Sequence, residues 1–509
     1  MNFIDNFLNR ITMYRLVLYY LIALLGLAAV FGAFGILPYH PADIAFTALF
    51  LVLVAWTANG LLAVAFKAHP NVESAYITAL ILALIIDPGS YTSASFVMFL
   101  IAAGVLAMAS KYILSLGKKH LFNPAAIAVV ITALVMGQSA SWWIGGNLPL
   151  MAFVIAGGFL IVRKIQRFDL ALIFLAAAFV SDILTHPTVD PFTTIQKAVL
   201  HTPLFFFAAV MITEPLTTPP TRMWRIEYAA LVGLIFSPAV HFGPLYSTPE
   251  LALVIGNLFS YAVSPKGKQV LMLVKKEEAG AGIYDLSFAP EAGKPLSFLP
   301  GQYLEWTLAH PKADSRGNRR YFTIASSPTE KEVILGAKFY RPSSSFKSAM
   351  LDMVPGDTIV AGQLAGDFTM PRNHRQKLAF IAGGIGITPF RSMVKYLTDT
   401  AAVNGGKNRR DVVLLYSNRT AAEIAYRDVF DDAAKKIGMK TVYAVTQPED
   451  GSAGTRITPE LIRREIPDYR ERMFYISGTH AMTTSFQRTL AEMGVPRTHI
   501  KIDFFPGFA

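Results

Sequence analysis

Glycine is needed where a phosphate must approach backbone amides at the start of a helix, because any Cβ there would hold it away. The apolar run Leu378-Ala379-Phe380-Ile381-Ala382 leads into Gly383-Gly384-Ile385-Gly386-Ile387-Thr388-Pro389 and then into a helical stretch to about Leu397. A second glycine turn, Ser477-Gly478-Thr479, follows the strand at 473–477. Two such turns at the carboxyl ends of parallel strands define one crevice. The chemistry this implies is dinucleotide binding, with Gly383, Gly384, Gly386, Thr388 and Gly478 as the binding residues; plain structural turns are the competing reading. In the other half, Ile85-Ile86-Asp87-Pro88 and Ile212-Thr213-Glu214-Pro215 each close an apolar stretch with an acid and a proline, and Phe122-Asn123-Pro124 opens another. Irregular backbone at membrane depth survives only where protein or a cavity satisfies it. Asp87, Glu214 and Asn123 are therefore candidates for a central binding site. The alternative is that the two acids cap helix ends near the headgroups.

The elements that must position these residues divide by composition. The chain has 509 residues, 53 % hydrophobic and 16 % charged, too apolar for one soluble protein and too apolar for a disordered one. Residues 1–265 hold 12 Lys/Arg and 10 Asp/Glu, and the rest hold 34 and 25. That is about 8 % charge against about 24 %, a membrane composition followed by a soluble one. Ten apolar stretches fit the first part, at about 16–37, 44–66, 72–87, 94–114, 124–138, 148–163, 169–184, 197–213, 226–243 and 249–264. With both termini cytoplasmic, thirteen Lys/Arg fall on the inner segments and only Lys197 on the outer ones, a strong positive-inside bias. Ten spans also divide into two fives of opposite orientation, an inverted repeat. Past a linker at 264–268, short alternating runs between Gly, Pro and Asp suggest a small antiparallel β-barrel over 269–372. Strands at 378–382, 411–416, 440–445 and 473–477 alternating with helical segments suggest a doubly wound α/β sheet. The expected domains are a polytopic all-α membrane domain (1–265), a β-barrel (266–374) and a nucleotide-binding domain (375–509).

The net charge of +11 divides as +2 and +9, but no basic helix or aromatic-interleaved basic patch points to nucleic acid; anionic lipid beside a cytoplasmic domain accounts for it. There is no cysteine, so disulfides, cysteine-ligated iron–sulfur clusters and thiolate haem are excluded.

Arg319-Arg320-Tyr321-Phe322-Thr323-Ile324-Ala325-Ser326-Ser327, preceded by Gly301-Gln302-Tyr303, resembles the flavin motif of the ferredoxin–NADP reductase superfamily. Lys338 and Ser343-Ser344-Ser345-Phe346-Lys347 are similar to its phosphate-binding segment, and Asp503-Phe504-Phe505-Pro506-Gly507-Phe508 to its aromatic tail. The resemblance spans 269–509. It implies FAD, with Arg320, Lys338, Ser345 and Lys347 toward its phosphates, Phe322 packed on the isoalloxazine, Thr323 near N5 and Phe505 near the nicotinamide. Phe322 replaces the usual tyrosine, Ser343 a common glycine, and Ser477 a usual cysteine. Ser417 and Arg419, after the second nucleotide strand, suit a 2′-phosphate or an ordinary turn, so NADH and NADPH stay open.

Lys119-His120-Leu121-Phe122-Asn123-Pro124-Ala125-Ala126 and Ile212-Thr213-Glu214-Pro215-Leu216-Thr217 resemble the family of the sodium-translocating NADH:quinone reductase B subunit and the Rnf complex D subunit, over about 70–265. That resemblance implies a ten-helix domain that binds flavin and passes electrons. The covalent-FMN threonine of the family has no counterpart in Gly137-Gln138-Ser139-Ala140-Ser141-Trp142-Trp143, which leaves a non-covalent FMN or riboflavin. A haem reductase needs paired histidines on two helices, whereas only His201 and His241 lie in or near apolar segments, so no haem is expected. The combined expectation is an inner-membrane NAD(P)H-dependent flavin oxidoreductase, with soluble domains cytoplasmic. Its electrons pass from FAD to a membrane carrier, a quinone or an external acceptor. A redox-linked ion or solute transporter is the alternative.

Overall fold

A computed structural model describes residues 4, 7–8, 11–66, 72–116, 119–264, 268–290, 296–310, 314, 318–340, 342–403, 410–448 and 453–504. The chain forms two compact units, Met1–Gly267 and Lys268–Ala509.

The first unit is helical. Among the described residues, five helices are long and apolar enough to cross a membrane: Met13–Ala33, Pro41–Ala65, Ala94–Ile113, Leu148–Ile165 and Phe168–Thr185. Their starts are written in the sequence, with Thr12 and Ser93 accepting bonds from first-turn amides and Pro41 at a helix start, where a missing N–H costs nothing. The remaining helices are short or broken. Val72–Ile85, Pro124–Met136 and Pro249–Val263 are apolar but only 14, 13 and 15 residues long. At about 1.5 Å per residue, each reaches roughly two thirds of the way through a hydrocarbon core. Pro191–His201 and Leu204–Met211 meet at a 71° bend at Pro203, and the second piece contains a π-helical turn, Phe207–Met211. Arg222–Leu234 completes the set described. Every expected apolar stretch therefore carries helix, but among the described residues five helices, or six with the bent pair, have the length of a span.

The second unit opens with antiparallel strands β1 (Gln269–Gly280), β2 (Ile283–Pro290), β3 (Tyr303–Thr307), β4 (Arg319–Thr323), β5 (Val333–Lys338) and β6 (Thr358–Ala365). They form one sheet in the order β4-β3-β6-β1-β2-β5, and the bridge Ile324–Leu335 brings the β4 end back to β5, closing a barrel. Leu271, Leu286, Phe288, Trp306, Leu335 and Phe346 fill it. Parallel strands follow: β7 (Leu378–Gly383), β8 (Val412–Asn418), β9 (Lys440–Val445), β10 (Met473–Gly478) and β11 (Ile500–Phe504). Their order is β9-β8-β7-β10-β11, so the connections leave β7 in opposite directions and place a switch point between β7 and β10. The edge strand β11 adds to the four expected from sequence; its run Ile500-Lys501-Ile502-Asp503-Phe504 alternates apolar and charged residues, as a half-covered edge does.

Candidate functional site

The two glycine turns meet at that switch point. Gly384 has φ +52, a left-handed conformation open to glycine, and begins a tight turn, Gly384–Ile387, that leads into the helix Thr388–Val403. A Cβ on Gly386 would lie 2.5 Å from the Ser477 carbonyl oxygen and 2.7 Å from the Gly478 nitrogen, so the β7 and β10 turns are in backbone contact. Gly383 and Gly478 flank the Met482 thioether, and a Cβ on Gly478 would come within 2.9 Å of Met482 Sδ. Thr388 is buried, with its hydroxyl donating to the Ile385 carbonyl at 3.3 Å. A second helix, His480–Glu492, also begins here, capped by Thr479. Two helix N-termini over a glycine floor provide free N–H donors and positive potential for a dinucleotide phosphate.

In the barrel, Thr323 is buried and paired with Tyr303. Phe322 stacks on Phe346 at 6.1 Å, and Arg320 lies over the same Phe346 ring at 5.2 Å. Ser345 begins the helix Ser345–Asp352, whose cap is Ser344. Arg320 and the Ser345 amide thus lie beside Phe346, with Phe322 stacked on its ring; the guanidinium and the helix-start N–H are donors of the kind a flavin phosphate requires. Lys347 Nζ donates to the Lys338 carbonyl at 2.9 Å. Lys338 Nζ is held 2.8 Å from Glu423, which belongs to the nucleotide-binding half. Phe505 lies outside the described residues.

Sequence reasoning missed the joint between barrel and sheet. Arg391, in the helix that opens with Thr388, is paired with both oxygens of Glu330 and donates to the Ala325 carbonyl at 3.2 Å. Ser392 donates to the Ser326 carbonyl at 2.6 Å. Tyr426, in a left-handed conformation at φ +59, donates to Asp285 at 2.5 Å, and Arg391 lies over its ring at 5.8 Å. Burial pushes the Asp285 carboxyl up to about 6, against the Tyr426 bond and the Arg391 charge, which favour ionisation. Burial also pushes Asp503, which pairs with Ser477 across β10–β11, up to about 7. A carboxyl raised on folding holds its proton more tightly in the folded chain, so its contribution is present at low pH and is lost as pH rises through the folded value. Asp285→Asn therefore shows a shallower loss of thermal stability between about pH 4 and 6 than the wild type, with the Asp503 component common to both. Parallel pH profiles for the two proteins would refute this.

In the helical unit, Asn123 caps Pro124–Met136, with Oδ1 accepting from Ala125 and Ala126 at 3.1 and 3.2 Å. Its Nδ2 donates to Glu214 Oε2 at 2.8 Å, and its backbone N–H donates to Asn257 Oδ1 at 2.7 Å. Asn257 Nδ2 in turn donates to the Tyr228 hydroxyl at 3.3 Å. Lys111, hydrogen-bonded to the Ser74 carbonyl at 3.0 Å, interacts electrostatically with Glu214. The structure thus joins Asn123 and Glu214 and adds Lys111, Tyr228 and Asn257. It does not bring in Asp87, which accepts from the Tyr39 hydroxyl at 2.7 Å beyond the far end of Val72–Ile85, about 20 Å of helix from Ser74. A separate buried pair, Trp142 Nε1 to Glu250 Oε2 at 2.8 Å, lies in the loop where the sequence showed only a missing threonine.

Residues 380–488 match the family described as "Oxidoreductase NAD-binding domain". Among curated proteins, the chain is similar to the flavohemoprotein of Pseudomonas putida (29 % identical over 247 residues, 47 % of this chain and 59 % of that one). It is also similar to that of Bacillus subtilis (25 % over 246 residues, 46 % and 58 %). The chain spans about three fifths of the length of the curated relatives it matches. Among solved structures it is similar to the flavohem-like FAD/NAD binding domain of nitric oxide dioxygenase from Vibrio cholerae (18 % identity, TM-score 0.41, covering 47 % of this chain and 98 % of that one). The cytochrome b5 reductase domain of Ulva prolifera nitrate reductase gives 20 %, 0.41, 47 % and 98 %. The second unit is accordingly an NAD(P)H-dependent flavin oxidoreductase module, with FAD and NAD(P)H as its cofactors. These relatives correct the cofactor expectation: they are flavohemoproteins, so a flavin set without haem, inferred from scarce histidines, is withdrawn. The histidine count bore on the helical half, whereas the similarity covers only the reductase half, about 47 % of the chain.

Proposed function

We propose that the chain is a membrane-bound flavin oxidoreductase that moves electrons from NAD(P)H, through FAD, to a quinone or an external acceptor in or across the membrane. The observation that carries this reading is the switch-point crevice of Gly383, Gly384, Gly386 and Gly478, joined in one chain to a helical unit with a buried polar cluster. Thr388 and the two helix N-termini hold the pyridine nucleotide. Arg320, Ser345 and Lys347 hold the flavin phosphates, Phe322 flanks the ring, and Thr323 faces its reacting edge. Lys338 acts through Glu423, tying flavin side to nucleotide side. Bound FAD supplies the conversion of a two-electron hydride into electrons that leave singly.

The reading places both termini and the second unit in the cytoplasm at the inner membrane, as the thirteen-to-one distribution of Lys/Arg favours. It takes the short helices as partners in a ten-helix, twice-repeated domain in contact with lipid. In proteoliposomes, NAD(P)H added on the side of the soluble unit is expected to reduce quinone in the bilayer or an impermeant acceptor inside the vesicle. Glu214→Gln slows acceptor reduction while NAD(P)H bleaches the flavin at the wild-type rate. Equal acceptor rates in the variant and the wild type would remove the polar cluster from the electron path. The Glu214–Lys111–Asn123 cluster favours one second reading, redox-linked ion or solute movement. Under that reading, uptake by the vesicles follows NAD(P)H addition.

A further inference from the structure

The donor set assigned to the flavin phosphates already serves an anion from the chain itself. Asp314 Oδ1 lies 3.3 Å from Arg320 Nη2, and Asp314 Oδ2 accepts the Ser345 backbone N–H at 3.3 Å, the first amide of the helix Ser345–Asp352. The Asp314 backbone N–H donates to Ser345 Oγ at 2.9 Å, and the same oxygen is 3.2 Å from His310 Nε2. The carboxylate therefore bridges a guanidinium and a helix N-terminus, as one phosphate of a diphosphate does. The Arg320 and Asp314 side chains are 15 % and 26 % exposed, so this is a partly desolvated pair rather than a surface contact.

We propose that Asp314 is a built-in competitor of the flavin diphosphate, and that it sets how tightly FAD is held. The inference rests on reading the barrel as the FAD site. One amide and one guanidinium edge cannot serve a carboxylate and a phosphate in the same place. Flavin loading therefore breaks the Arg320–Asp314 and Ser345–Asp314 contacts and moves a negative charge aside. The pair also keeps Arg320 aimed across Phe346, so the guanidinium is already oriented.

The test is FAD titration, by quenching of flavin fluorescence, of the full-length detergent-purified protein after flavin removal in concentrated salt. Asp314→Asn keeps the shape and loses the charge, and Asp314→Ala also loses the acceptor. Both are expected to bind FAD about three- to ten-fold more tightly than the wild type. The gain should shrink as ionic strength rises, because the competition is between charges. Weaker or unchanged FAD binding in both variants, with wild-type circular dichroism, would overturn the proposal and would mean that Asp314 supports the flavin or ignores it. Arg320→Ala separates this from the reading beneath it. If the wild type binds FAD and Arg320→Ala weakens it, the site stands whatever Asp314 does. If the wild type binds no FAD, or Arg320→Ala has no effect, the site assignment itself fails.

Discussion

Gly386→Val is expected to remove NAD(P)H-driven reduction of the flavin while leaving the flavin bound. The cause is local and backbone-deep. A Cβ at 386 meets the Ser477 carbonyl group at 2.5–2.6 Å and the Gly478 nitrogen at 2.7 Å, and no side-chain rotation relieves contacts with main-chain atoms. The β7 and β10 turns must then separate, and the crevice they form opens. Overpacking of this kind costs about 1–3 kcal/mol, so kcat/KM for NAD(P)H should fall roughly ten- to hundred-fold. FAD content should not change, because the barrel residues proposed to hold it are unaffected. Equal loss of FAD and of nucleotide turnover would mean that the substitution unfolds the unit, and an unchanged kcat/KM would mean that the crevice is not where the nucleotide binds.

Arg391→Met should have the other large effect, on stability and on hydride transfer together. Arg391 is 8 % exposed and joins Glu330, the Ala325 carbonyl and the Tyr426 ring across the joint between barrel and sheet. Removing one member of a buried pair costs about 3–5 kcal/mol, since the other charge is left behind. For a unit of this size that lowers the thermal midpoint by about 10 °C. Arg391 stands three residues beyond Thr388, and Glu330 and Ala325 follow Thr323. The pair therefore fixes the distance between the proposed nucleotide side and the proposed flavin side. Flavin bleaching by NAD(P)H should slow even below the variant's melting temperature, while FAD stays bound. The double variant Arg391→Met/Glu330→Leu, with no orphaned charge, should regain most of the stability but not the rate. A double variant as unstable as the single one would show that the pair is not the source of the loss.

Local patterns were the legible part of the sequence. The strand-to-glycine turn at 378–389 and the apolar stretches with their prolines lie where residue order alone placed them, because caps, periodicity and glycine requirements act within a few residues. The long-range pairs were not legible. Tyr426 meets Asp285 across 141 residues, Arg391 meets Glu330 across 61, and Trp142 meets Glu250 across 108. Nothing in the neighbourhood of either partner signals the other, since such pairs are set by tertiary packing. Asp87 and Glu214 illustrate the same limit. Their Asp-Pro and Glu-Pro surroundings look alike, yet Glu214 joins Asn123 while Asp87 faces Tyr39. A proline marks an interruption in the backbone but not which side chains gather around it. Asp314 carries no signal in the sequence either, and only the fold sets it against Arg320 and the amide of Ser345.

In the proposed function, one chain takes hydride from a nicotinamide nucleotide onto FAD and delivers the electrons into its helical unit. Anaerobic stopped-flow reduction of the full-length protein in lipid vesicles, with the bound flavin identified and a membrane-confined quinone as acceptor, decides this. One FAD per chain is expected in the second unit, bleached by NADH or NADPH and reoxidised when the quinone is present. Flavin that bleaches but is not reoxidised by any acceptor in or across the bilayer would contradict the link to the helical unit, and FAD that neither nucleotide bleaches would contradict the claim at its first step.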